Sequence, residues 1–239
     1  MTQGNHMATR GATWGGRSAR AGRSMLIKVA AALVACAGLV PVVGAAPVAA
    51  AGYDPATDPY SMKALTAITG VTAFWDQGYT GAGVDVAVID TGVAPVEGLA
   101  IPGKIIYGPD LSLESQAPHL THLDTNGHGT FMAGIIAGKD SALTVPYKNA
   151  SASAYRGIAP DARIVSIKVA TADGGVDVTQ MIAAINWVVD HKNDNGMNIR
   201  VLNISYGTNS TQSSLIDPLS FAVERAWKAG IVVVAAAGN

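Results

Sequence analysis

Two side chains stand out for the chemistry their surroundings would allow. Asp90 ends the run Val84-Asp85-Val86-Ala87-Val88-Ile89 and is followed at once by the turn pair Thr91-Gly92. His128 lies between Gly127 and Gly129, at the head of a small-residue run through Ala137. A carboxylate at a strand's carboxyl end sits where α/β sheets gather ligands and chemistry. A histidine at the start of a helix meets a dipole that disfavours its protonated form. A nearby carboxylate such as Asp90 would hold and orient the ring, and the two opposing terms suit a general base.

The elements that must position this pair follow from the apolar periodicity. Val84, Val86, Val88 and Ile89 form a β-branched run bounded by glycines, read as a strand buried on both faces. Further strands are expected over Arg163 to Val169, Arg200 to Ser205 and Ile231 to Ala236. Helices are expected over Met62 to Ile68, over Phe131 to Ala137, and over Thr179 to Asn193 with Asp177 or Thr179 as cap. A last helix runs from Pro218 to Ala229, with Leu219, Ala222, Val223, Ala226 and Trp227 on one face and Gly230 closing it. Val93 to Asn126 reads as loop-rich, and 138–157 as a polar surface loop. Strands alternating with helices imply an α/β fold, a parallel sheet with helices on both faces.

Composition narrows the classes. The 239 residues are 49% hydrophobic and 14% charged with net charge -1, enough for one large α/β domain and without the basic face a nucleic-acid partner requires. The single cysteine, Cys36, excludes an intrachain disulfide. Residues 1–51 read as a polar, Arg-rich extension followed by a secretory signal peptide ending near Ala49-Ala50-Ala51, and 52–239 as the functional domain. Pro41 and Pro47 interrupt the apolar stretch, so no stable membrane span is expected. Leu33-Val34-Ala35-Cys36 also resembles a bacterial lipobox, an alternative in which Cys36 carries lipid at the cell surface.

Val88-Ile89-Asp90-Thr91-Gly92, then Asn126-Gly127-His128-Gly129-Thr130, then Ala235-Ala236-Ala237-Gly238-Asn239 resemble successive signatures of the subtilisin-like serine peptidases. The order, Asp before His, is the subtilisin order. The resemblance implies a secreted endopeptidase acting on protein or peptide substrates as a monomer, with Asp90 orienting His128 and His128 as general base. It implies that Asn239 supplies the oxyanion-hole amide. Ser205-Tyr206-Gly207 resembles the substrate pocket wall, and Asp173-Gly174-Gly175 the opposite rim. No cofactor is required. Structural calcium is common in the family, but no acidic loop here is distinctive enough to assign its ligands.

The departure is the nucleophile: no Gly-Thr-Ser-Met-Ala-x-Pro-like segment occurs. The expectation is therefore the N-terminal part of a catalytic domain, cut before the nucleophile helix, inactive and not stably folded alone. Gly52 to Val71 leaves no room for a folding prodomain. Three other readings compete. Asp-Thr-Gly also marks aspartic peptidases, but they are all-β and need a second copy. His119, His122, Asp124 and His128 match no common zinc spacing, so no metal is expected. A non-catalytic peptide-binding module would have no use for a base oriented by a carboxylate.

Overall fold

The computed structural model describes residues 53–208 and 210–238. The extension, the signal peptide, Cys36 and Asn239 lie outside the described residues.

The strand that carries Asp90 is the centre of the sheet. In β1 (Asp85–Asp90) every residue is buried: Val86 to Ile89 form its apolar run, and Asp85 is paired with Arg163 at 2.6 Å. It pairs in parallel with β3 (Arg163–Lys168) on one side and β4 (Ile199–Ile204) on the other. With β2 (Ile105–Asp110) and β5 (Val232–Ala235) the order is β2-β3-β1-β4-β5, all parallel. Leaving β1 the chain moves toward the β3 side, and leaving β4 toward the β5 side. The crevice between the carboxyl ends of β1 and β4 is thus the topological switch point, where open α/β sheets bind ligands.

Helices cover both faces. Two short helices, α1 (Met62–Ile68) and α2 (Thr72–Trp75), precede the sheet, α1 capped by the Ser61 hydroxyl. Val86 and Val88 point to one face with Ala133 and Ala137 of α3 (His128–Ala137). Ala87 and Ile89 point to the other, with Ala184, Ile185 and Val188 of α4 (Val178–His191) and Ala222 and Ala226 of α5 (Pro218–Lys228). Small residues at the contacts let these helices lie close to the strands. Asp177 and Gln180 form a reciprocal capping box on α4, and Asp217 accepts from the Ser220 amide on α5.

Three expectations need correction. The stretch read as loop from Val93 to Asn126 contains β2, a sheet-edge strand whose Gly108-Pro109 hides the strand pattern. Pro109 is tolerated because the strand has one neighbour, and the pairing register shifts between Tyr107 and Asp110. The span 138–157 is not purely surface, since Tyr147 is 1% exposed and packs with Val71 and Trp75. Its hydroxyl donates to Asp161 (2.6 Å) and accepts from Lys139 Nζ (2.8 Å), which makes burial of the phenol tolerable. Trp227 is not on the packed face of α5 but 62% exposed.

Candidate active site

Asp90 ends β1 with no solvent exposure, and its Oδ1 accepts the Thr91 amide at 2.8 Å. His128 opens α3, whose first turn lies directly over that strand end. The two side chains meet at 2.8 Å, His128 Nδ1 to Asp90 Oδ1. A neutral ring donating from Nδ1 leaves Nε2 as its acceptor. The imidazole is partly exposed where the carboxylate is not, so one end of the relay is fixed and dry and the other reachable.

This approach demands glycine at 129. A Cβ there would stand 2.1 Å from the Gly92 carbonyl oxygen and 3.1 Å from Asp90 Cβ. Real contacts are never so short, so any side chain would push α3 off β1 and take His128 with it.

Asp124 holds the turn from the other side. Its Oδ1 accepts from Thr91 Oγ1 (2.7 Å) and the Gly127 amide (2.8 Å), with a longer bond from the Asn126 amide (3.2 Å). Its Oδ2 accepts from the Thr130 amide (2.8 Å) and the Thr130 hydroxyl. Thr91 Oγ1 in turn accepts the Gly129 amide (2.9 Å), and Thr130 Oγ1 accepts the Ala94 amide (2.9 Å). Burial alone would raise the Asp124 carboxyl, but these donors outweigh it and hold it below the ordinary carboxylate range. One ionised residue thereby serves the orphan amides of the α3 N-terminus and ties them to the Asp90-Thr91-Gly92 turn.

A second clamp lies behind the first. Lys168, fully buried at the end of β3, stands beside Asp90 in the sheet register. Its Nζ donates to Glu114 Oε2 (2.5 Å) and to the Leu123 carbonyl. Glu114 also accepts from Thr125 Oγ1 (2.7 Å) and the Ala172 amide (2.9 Å). Burial would raise the Glu114 carboxyl, but its bonds from Lys168, Thr125 and Ala172 hold it low. The pair links the loop that carries Asp124 to the loop that follows β3.

Ser205, Tyr206 and Gly207 follow β4 and line, with His128 and Met132, one cleft of about 480 Å³. Ser205 Oγ accepts from Asn203 Nδ2 at 2.8 Å. The Tyr206 phenol is pushed well above its ordinary value, by burial first and then by the charges of Asp90 and Asp124. Gly175 lines a separate hollow with Thr171, Asp173 and Val176. The link from there to His128 is Asn126, whose Nδ2 donates to the Ala172 carbonyl (2.8 Å) and whose Oδ1 accepts the His128 amide (3.3 Å). Gly174 is at φ +79°, and a Cβ added there would stand 3.9 Å from Asn126 Nδ2. Asn239 lies outside the described residues. Gly238, just before it, lines the cleft with His128.

Among the described residues no group of three or more His, Cys, Asp or Glu side chains is arranged to hold a metal. Of the four residues weighed for one, Asp124 is committed to the helix start and His122 packs its ring against Tyr107, centroids 5.4 Å apart.

Sequence reasoning missed Asp124, Lys168 and Glu114. Asp124-Thr125-Asn126-Gly127 before a small-residue helix is a capping signal, and a lysine inside an apolar strand demands a partner. Glu114 gave no such sign.

Comparison with known proteins agrees with this geometry. A family model described as the subtilase family matches residues 81–239. Serine protease AprX of Bacillus subtilis (strain 168) is 37% identical over 166 residues, 68% of this chain and 34% of that protein. Minor extracellular protease Epr of the same organism is 32% identical over 165 residues, 69% of this chain and 21% of that protein. The crystal structure of a cold adapted subtilisin-like serine proteinase superposes with a TM-score of 0.50 at 29% identity, over 67% of this chain and 48% of that one. The chain thus spans less than half the length of each of these relatives. With the family model matched across the sheet and the Asp90–His128 pair, the chain belongs to the subtilase family.

Proposed function

We propose that this chain supplies the acid–base half of an exported serine endopeptidase that hydrolyses peptide bonds. Family membership makes it a serine peptidase by descent; the assignment of steps to its residues is our reading. The observation that carries it is the 2.8 Å contact of His128 Nδ1 with buried Asp90, at the mouth of the cleft bounded by Ser205, Tyr206 and Gly207.

In this reading Asp90 fixes the ring so that Nε2 faces the cleft. His128 Nε2 takes the proton of a serine hydroxyl as that oxygen attacks the substrate carbonyl, then returns it to the leaving amine. Asp90 stays ionised and stabilises the imidazolium formed in between. Asn239 donates its amide to the tetrahedral oxyanion. Ser205 to Gly207 and the loop holding Gly174 and Gly175 bind extended peptide along the two sides of the cleft through main-chain hydrogen bonds. Among the described residues no serine hydrogen-bonds His128, and Ser205 Oγ is engaged by Asn203. In this reading the nucleophile is not among the described residues, and the isolated chain is inactive. Export by the N-terminal signal and action as a monomer belong to the same proposal. One relative is itself named an extracellular protease.

The test applies a serine-directed fluorophosphonate probe to the full-length gene product and to the 239-residue chain. Labelling of the full-length product, lost in His128→Ala, is the expected result. Labelling that survives His128→Ala, or no labelling at all, would overturn the assignment.

A further inference from the structure

The sequence contains the dipeptide Asn-Gly twice, at Asn126-Gly127 and at Asn195-Gly196. Asn-Gly is chemically special because glycine puts no side chain in the path of its own backbone nitrogen. That nitrogen attacks the preceding carboxamide carbon. The new N–C bond closes a five-membered succinimide, the carboxamide nitrogen leaves as ammonia, and the glycine N–H proton goes to solvent base. Water then opens the ring at either carbonyl, giving aspartate or its β-linked isomer. No oxidant or cofactor is needed.

The fold treats the two dipeptides in opposite ways. At Asn126-Gly127 both reacting groups are tied. The Gly127 N–H donates to ionised Asp124 at 2.8 Å, which holds on the nitrogen the proton it must lose. The Asn126 carboxamide is held at both ends, Nδ2 on the Ala172 carbonyl and Oδ1 under the His128 amide. At Asn195-Gly196 the residues are exposed, in a one-turn 3₁₀ segment between α4 and β4 with Asn195 at φ 52°. Among the described residues no side-chain hydrogen bond restrains the Asn195 carboxamide or the Gly196 N–H. The one side-chain tether on that glycine falls on its carbonyl oxygen, which accepts from Arg163 Nη2 at 2.8 Å and takes no part in ring closure.

We propose that Asn195-Gly196 is a spontaneous deamidation site of this protein, and that Asp124 protects Asn126-Gly127 beside His128 from the same reaction. A charge-assisted hydrogen bond must break before Gly127 nitrogen can attack, which slows the step by about tenfold or more relative to an untied dipeptide. Modification at 195 adds a carboxylate beside Asp194. Its β-linked form lengthens the backbone just ahead of the Asn198 amide, which donates to Asp85 Oδ2 at 2.7 Å. The damage therefore falls at the amino end of the sheet, away from the cleft.

The experiment incubates the full chain at mildly alkaline pH, native and in denaturant, and follows each Asn-Gly peptide by mass spectrometry with enzymatic labelling of isoaspartate. The expected native result is conversion at 195 with 126 intact, and in denaturant conversion at both at similar rates. Native conversion at 126 as fast as at 195 would overturn the proposal. So would a 195 peptide that stays intact natively while converting in denaturant, or a 126 peptide that stays intact even in denaturant.

Discussion

Asp124→Asn removes one charge and one acceptor from the turn that holds His128. In the native protein four close donors converge on two oxygens: Thr91 Oγ1 and the Gly127 amide on one, the Thr130 amide and hydroxyl on the other. Asparagine keeps the first oxygen but turns an NH₂ toward the Thr130 N–H, a donor facing a donor. Two charge-assisted bonds are lost and the rest weakened, at about 1.5 kcal/mol each, and partial exposure lets water recover some of this; the expected loss is about 2–3 kcal/mol. The pH dependence carries a second signature. The folded carboxyl lies below its unfolded value, so its contribution is present in full above the unfolded value and lost as pH falls through the folded one. Asp124→Asn should lower the urea midpoint at neutral pH with an unchanged slope, and flatten the acid limb of stability. The His128 Nδ1–H proton resonance should broaden as the α3 start loosens. A variant that melts at the wild-type midpoint with the wild-type acid limb would refute the role given to Asp124.

Other substitutions probe neighbouring parts of the argument. Gly129→Ala places a methyl 2.1 Å from the Gly92 carbonyl oxygen and should cost about 3 kcal/mol or more by denaturant melting, since backbone rather than a flexible side chain must yield. Lys168→Met leaves Glu114 without its cation and frees the Leu123 carbonyl. We expect about 3 kcal/mol of destabilisation, with faster hydrogen exchange at the Ala172 amide. In the full-length product Asp90→Asn should lower kcat by about 10⁴-fold while fold and substrate binding persist, because the ring loses its orienting acceptor. Lys104 gives an alkaline test. Burial, reinforced by the Lys139 charge and partly offset by Asp161, lowers its amine to about 8. Between there and the ordinary lysine value Lys104 binds more protons in the unfolded chain, so its contribution to stability rises with pH across that window, and wild type should gain stability over Lys104→Met as pH is raised through it.

The sequence revealed the centre of this fold better than its edges. β1 was legible because Val86 to Ile89, buried on both faces, form an uninterrupted apolar run between Asp85 and Asp90, and the carboxylate ending it is conspicuous for the same reason. Its partner His128 was legible through the flanking glycines: Gly129 is there because α3 nearly touches the strand, and Gly127 because its backbone sits at φ +97°. β2 was hidden because an edge strand satisfies one neighbour and tolerates Gly108-Pro109. Trp227 fits the helical period of the apolar face of α5 yet points to solvent, since a five-residue face is wider than the small contact at Ala222 and Ala226. The clamps were hidden for another reason. Glu114 meets Lys168 across 54 positions, and Thr91 meets Asp124 across 33. No local pattern announces a pair that only the sheet order brings together.

That difference in legibility mirrors a division of labour in the site. The groups bonded around His128 come from the end of β1, the start of α3 and the residues just before it: Asp90, Thr91, Asp124, Asn126, Gly129 and Thr130. That set rests on a strand with neighbours on both sides and is braced by Lys168 of β3 with Glu114. The other wall of the cleft is lined by Asn203 to Gly207 at and after the end of β4 and by Val234 to Ala236 at the end of β5. In the proposed reading substrate contact falls on that wall and proton handling on the β1–α3 side. A base must keep its position to within about half an ångström to transfer a proton, whereas a wall that reads an extended peptide gains by adjusting to it. Substitutions around β1 and α3 should therefore act chiefly on kcat, and those in Ser205 to Gly207 chiefly on KM.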